Sequence, residues 1–144
     1  MGVWARAAGL IFSFALLCGC SQQSSARDDL IHALNDTHSA IASSLLAIQL
    51  YDQQRSTRAV TETVLGDMSK QAVDAERSLE PISVDSEQIK SERDAALAAI
   101  HAGVAALLSN RDDLEQQGAV ADTAGLESAG REVDALLNQL RSSQ

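Results

Sequence analysis

The chain has little with which to build turns: one proline and eight glycines in 144 residues. Proline and glycine punctuate tight turns, so their scarcity excludes a fold of many short strands and hairpins. Aromatic residues are as rare. Trp4, Phe12 and Phe14 all lie near the N-terminus, and Tyr51 is the single ring beyond them. A core built from the rest of the chain must be filled by Leu, Ile, Val and Ala, and the abundance of Ala favours helices. Basic charge is also in short supply, with 11 Lys and Arg against 20 Asp and Glu for a formal charge of −9. That balance opposes binding to nucleic acid or lying flat on anionic lipid, since both reward a basic surface.

Cysteine occurs at two positions, Cys18 and Cys20, and both close an N-terminal apolar run from Ala7 to Leu17 that follows the cation Arg6. The run is about eleven residues, where a membrane-spanning helix needs roughly twenty, so it reads as a secretory signal. Its end, Leu17-Cys18-Gly19-Cys20, resembles the lipobox of bacterial lipoproteins. The resemblance implies Leu17 at the third position before a cut, Gly19 directly before it, and Cys20 as the thiol that receives diacylglycerol. Cys18 stands where the family usually has Ala or Ser.

The resemblance implies a cellular address. Residues 1–19 are expected to be removed as a signal peptide, leaving Cys20 as a lipid-bearing, palmitate-type N-terminus. Two or three acyl chains anchor lastingly where one holds only marginally. Ser21, rather than Asp, resembles the pattern sent to an outer membrane; with a single membrane the protein stays on its outer face. The expected location is therefore the cell membrane or outer membrane, with the domain outside the cytoplasm. Cys18 lost and Cys20 lipidated leave no thiol for a disulfide or a metal.

Ser21-Gln22-Gln23-Ser24-Ser25 is small and polar, and residues 20–27 are expected to form a flexible tether. Asp28 and Asp29 sit where acids favour a helix start. Leu30, Leu34, Ile41, Leu45 and Ile48 then share one stripe and predict helix one over about 28–51. Residues 52–56 break the pattern without Gly or Pro, so a turn is expected, with one uninterrupted helix as the alternative. Ser56 or Thr57 is positioned to cap helix two, about 57–79, whose face is read as Val60, Val64, Met68, Ala72, Ala75 and Leu79. Pro81 ends it.

Ser83 or Asp85 is positioned to cap helix three, about 86–109, with Ile89, Ala96, Ile100, Val104 and Leu107 inward and Asn110 as its stop. Residues 111–124 are ambiguous. Helix four, about 123–141, aligns Leu126, Val133, Leu137 and Leu140, with Glu127 one turn before Arg131. Four amphipathic segments with short connections predict an all-α, antiparallel up-and-down bundle over 28–141, or three helices if the last segment stays unpacked. The mature part also resembles small Ala-rich helical envelope lipoproteins of high-GC bacteria, a resemblance without a diagnostic motif that implies no activity.

Candidate chemistry is sparse. His32 and Asp36 stand one turn apart and offer two metal ligands, yet His38 lies about 240° round the helix from His32 and His101 is on another helix. Exposed histidines are the better reading, and no metal or cofactor is expected. Asp28-Asp29 and Asp112-Asp113 lack the Gly-containing turn of a calcium loop and are read as helix-start charges. There is no Gly-x-Ser-x-Gly, so no catalytic residue is expected and the protein is not read as an enzyme. Arg93 falls inside the apolar stripe, either snorkelling or marking a buried ion pair. Thr57 and Thr61 form a polar seam, as a ligand pocket or an end layer. Ala121, Gly125 and Ala129 recur every four residues, as at close helix contacts.

Leu46, Leu50, Leu65 and Val73 fall away from the main stripes and are the candidate partner-facing surface. The expected function is a membrane-anchored, non-catalytic interaction or scaffolding module. Its expected partners are the membrane, through the lipid on Cys20, and another protein, but not nucleic acid. The alternative is a small-ligand or metal-ion binding lipoprotein using the bundle interior.

Overall fold

A computed structural model of the chain describes residues 19–82, 86–120 and 122–143. The signal segment through Cys18, the expected cap residues Ser83 and Asp85, and Ala121 lie outside them. The described residues form four helices and no strand: α1 (Gly19–Asp52), α2 (Arg58–Ser78), α3 (Glu87–Gln117) and α4 (Ala124–Ser142). The fold is an all-α bundle.

Two boundaries differ from the sequence pattern. Among the described residues α1 already covers Gly19 onward, so the stretch expected as a tether is helical and Asp28 and Asp29 lie inside α1 rather than at a helix start. Nothing between Cys20 and Leu30 is a helix breaker. Helix α3 runs through Asn110, whose amide nitrogen turns back to the Ala106 carbonyl, and ends instead at Gly118, left-handed at φ 70°. Leu114, fully buried one turn before that glycine, holds the extra turns against the core. Asp112 and Asp113 therefore stand near the end of α3, not at a helix start.

The turn after α1 forms without Gly or Pro. Gln54 adopts φ 57°, the Gln54 amide donates to the Tyr51 carbonyl, and the Arg55 amide reaches the Leu50 carbonyl. That paired closure is a Schellman motif with glutamine at the left-handed position glycine usually takes. Thr57 then caps α2, its hydroxyl accepting from the Val60 amide, and Ser86 caps α3 by accepting from Ile89. At α4 the N-cap is Thr123, whose side chain makes no capping bond; Asp122 just before it accepts from the Ala124 amide at 2.8 Å.

Helix α1 packs against all three others, whereas α2 and α4 stay apart across the longer diagonal. The short diagonal closes at Gly103 of α3. A Cβ there would meet Ile41 Cδ1 at 3.2 Å and Thr37 Cγ2 at 3.3 Å. On the other side of the same isoleucine, a Cβ on Gly130 of α4 would meet Ile41 Cγ2 at 3.2 Å. Ile41 thus fills the space two glycines leave, joining three helices. Of the described members of the expected stripe, Ala129 is buried but Gly125 has nothing within 4 Å of its Cβ position.

The stripes of α1, α3 and α4 are buried largely as read, but α2 is turned. Its first half buries Thr61, Leu65 and Ser69, while Val60 is 55% exposed. Thr61 and Ser69 hydroxyls donate to the carbonyls of Thr57 and Leu65 one turn back, so their burial leaves no hydroxyl proton unpaired. Thr61, read as part of a polar seam, and Ser69 are therefore core, and Leu65 between them is fully buried.

Three substitutions test this packing. Gly103→Val should destabilise by about 1–3 kcal/mol through overpacking against Ile41. Gly66→Ala, in open space within α2, should stabilise by about 0.5–1 kcal/mol. Gln54→Gly should also stabilise, by about 1 kcal/mol, by relieving the left-handed conformation. Urea unfolding reads all three; unchanged stability in Gly103→Val would mean that α1 and α3 do not meet closely.

Candidate interaction surface and grooves

The four residues expected to face a partner separate. Leu65 belongs to the core and is corrected from that set, because the rotation of α2 turns it inward. Val73 is half-buried and packs on the core from the α2 flank. Leu50 is half-buried near the end of α1, and Leu46 is 56% exposed. What the sequence pattern missed is Val60. The Gln71 side chain donates to the Asp36 carbonyl, fixing α2 against α1. Counting eleven residues in opposite directions from that bond brings Val60 level with Ala47, within a turn of Leu46 and Leu50. The pattern assigned Val60 to the core because it is valine at the helical spacing; its exposure depended on the neighbours.

Two surface grooves flank α1. The one toward α2, about 540 Å³, is lined by His32, Asp36, Asp67, Met68, Lys70, Gln71 and Asp74 among others. Within it His32 Nε2 is 3.4 Å from the Asp36 carboxylate, as the one-turn spacing predicts. The groove toward α4, about 340 Å³, has Ile41, Ala42, Leu45 and Gly130 as its floor and His38, Glu127, Arg131 and Asp134 at its edges. His32 and His38 thus face different grooves, and His101 pairs with Glu76 at 3.0 Å across α2 and α3. Among the described residues no three His, Cys, Asp or Glu side chains come together as a metal site.

The remaining singled-out residues are structural. Arg93 is three-quarters covered and bonds Asp94 at 3.1 Å. Thr61 closes the loop end of the bundle with Ser56, their hydroxyls 3.3 Å apart, so the threonine seam is an end layer. At the same end the Tyr51 hydroxyl donates to the Gly118 carbonyl at 2.7 Å, and Arg58 donates to the Glu115 carbonyl at 2.6 Å. The one aromatic ring beyond the N-terminal run is spent on fastening the two turns together.

The opposite end is held by Arg27 and Glu92. Two guanidinium nitrogens reach the carboxylate at 2.7 and 3.1 Å, and a third contact goes to the Ser143 carbonyl at 3.3 Å, tying α1 to α3 and to the end of α4. Both side chains are largely covered, at 13% and 12% exposure. The hydrogen bond to Glu92 raises the Arg27 guanidinium further above its ordinary value. For Glu92, burial acts to raise the carboxyl, but the hydrogen bonds from Arg27 and Gln88 outweigh it and hold the carboxyl below its ordinary value.

That direction fixes a pH dependence. A depressed carboxyl stabilises the fold fully above the unfolded glutamate value, about 4.3, and the contribution is lost as pH falls through the lower native value. The parent protein should accordingly melt well above Glu92→Gln at neutral pH, and the gap should close in acid. A gap independent of pH between 7 and the acid limit would remove the ion pair from the account.

Compared with models of known protein families, with curated proteins and with solved structures, the chain matches none. Among the described residues, no helix is long and apolar enough to cross a membrane.

Proposed function

We propose that this protein is a cell-envelope lipoprotein, attached to the membrane through acyl chains on Cys20, whose acidic four-helix bundle serves as a non-catalytic docking module for another protein. The anchor rests on the Leu17 to Cys20 motif after the apolar run. The docking role is carried by one observation: Leu46 of α1 and Val60 of α2, at about the same level of two packed helices, are left 56% and 55% exposed. An exposed aliphatic pair beside half-buried Leu50 and Val64 is a surface that gains by being covered.

A small-ligand role draws support from the groove between α1 and α2, whose size falls in the range of ligand sites. That groove is at the surface and edged by exposed Asp67, Lys70 and Asp74, whereas ligand sites are mostly apolar and concave. The docking reading accounts for the aliphatic pair, which the ligand reading leaves unused.

Two measurements test the proposal. In the native host, mass spectrometry of membrane fractions should find Cys20 acylated in the parent and unlipidated in Cys20→Ser; unchanged acylation would remove the anchor. A photo-crosslinking residue at Leu46 should capture a protein that the same residue at exposed Ala135 of α4 does not. Replacing His32, His38 and His101 together should leave that capture intact; zinc or copper retained stoichiometrically by the parent and lost in the triple variant would favour the metal-binding alternative.

A further inference from the structure

Helix α1 covers Gly19 to Asp52 without a break, so Cys20 belongs to the same helix as the core residues Leu30 and Ile41. Helices α1 and α3 run parallel and keep one offset from end to end: Arg27 meets Glu92, 65 residues on, and Tyr51 meets Gly118, 67 residues on. At the first of these offsets Glu87, where α3 starts, stands level with Gln22, and Ile89 stands level with Ser24. Ile89 is 2% exposed and Ala26 half-buried, so the bundle is packed up to that level and does not carry α1 as a free arm.

Little chain is left between this packed level and Cys20. From Gln22 to Cys20 is about 3 Å of helix at 1.5 Å per residue, whereas residues 20–27 as an extended tether would reach roughly 27 Å. The base of the segment is pinned as well. The largely covered Arg27 guanidinium holds it to Glu92 and to the Ser143 carbonyl.

We infer that the acyl chains on Cys20 hold the bundle end-on and directly against the lipid surface, with the first turn of α3 at the headgroups and the end fastened by Tyr51 and Gly118 pointing away. This rests on the lipoprotein reading above and adds to it a lipid-facing surface and an orientation. Because α1 is one helix from the anchor into the core, the attachment point and the long axis of the bundle are coupled.

Charge does not supply the contact. At this end Arg27 and Arg93 are paired with Glu92 and Asp94, and Lys90 is outnumbered by Asp28, Asp29, Glu80 and Glu87. Anionic lipid is not attracted to such an end, and the net charge of −9 opposes laying the bundle on its side. Attachment is left to the acyl chains, which hold lastingly when there are two or three.

The test uses the acylated protein, purified from its host and added to preformed phosphatidylcholine vesicles that contain a lipid with a quencher on its headgroup. Acylation consumes Cys20, so Glu87→Cys or Gln53→Cys offers a single thiol for a fluorophore. The Glu87 side chain is 94% exposed and Gln53 is exposed in the turn after α1. The two levels are about 45 Å apart along α1, and quenching should be at least about five-fold stronger at Glu87→Cys than at Gln53→Cys. A flexible Gly/Ser insert of roughly 20 residues after Ser25 should cut the Glu87→Cys quenching by at least about half.

Strong quenching at both positions would mean a bundle lying flat, and weak quenching at both a bundle standing off on a loose tether; either overturns the inference. So does quenching of Glu87→Cys in a Cys20→Ser background, which would place the lipid contact outside the anchor, or an insert without effect. Mass spectrometry of the same preparation separates the two levels. Without acylation at Cys20 the lipoprotein reading fails and the orientation with it, whereas acylation with equal quenching at the two positions overturns the orientation alone.

Discussion

Ile41 is the point on which the bundle closes. A helix packed at its centre by two glycines, Gly103 from α3 and Gly130 from α4, can bring its backbone close to both, and one branched side chain fills what the glycines leave. That contact makes α1 the shared neighbour of the other three helices and holds α2 and α4 apart. Small residues repeat the solution elsewhere along the interior, at Ala33, Ala40, Ala72, Ala96 and Ala99, all buried. With no Phe or Trp among the described residues, short side chains and close helices are the available route to dense packing there.

The surface is set by the same arrangement. Helices α2 and α4, on the long diagonal, carry many of the ion pairs within a helix, among them Arg58 with Glu62, Lys70 with Asp74 and Arg131 with Glu127. The middles of α1 and α3 carry none, and their outward faces are uncharged. Exposed pairs of this kind contribute little stability. The ends are fastened by different chemistry, the covered Arg27 and Glu92 pair at one and the Tyr51 hydroxyl on Gly118 at the other.

Most core positions of α1, α3 and α4 were legible in the sequence because a single aliphatic stripe at helical spacing has only one way to be buried. Leu30, Leu34, Ile41 and Ile48, then Ile89, Ile100 and Leu107, then Leu126, Val133 and Leu137 all lie inside. Helix α2 had two competing stripes one residue apart, Val60 with Val64 and Thr61 with Leu65. Side-chain polarity favours the first, yet the second is buried, since hydroxyls that return to their own helix carbonyls can enter a core. That one rotation moved Leu65 from the candidate surface into the interior and Val60 out onto it. The turn at 52–56 was expected from the broken pattern, but the left-handed Gln54 within it and the extension of α3 past Asn110 were illegible for a similar reason: glutamine is uncommon and asparagine common at left-handed ends, and here each departs from its preference.

Composition and periodicity alone determined that the chain is helical, acidic, poor in aromatic rings and built of amphipathic segments, because these depend on residue type and on spacing within about four residues. The short signal-like run and Cys20 were likewise set by local order. Tertiary structure decided which glycines meet Ile41, which face of α2 turns inward, and that Leu46 and Val60 both stand outside. Those outcomes depend on contacts between residues far apart in the chain, where burial at one position competes with burial at another, and no local pattern contains the result of that competition.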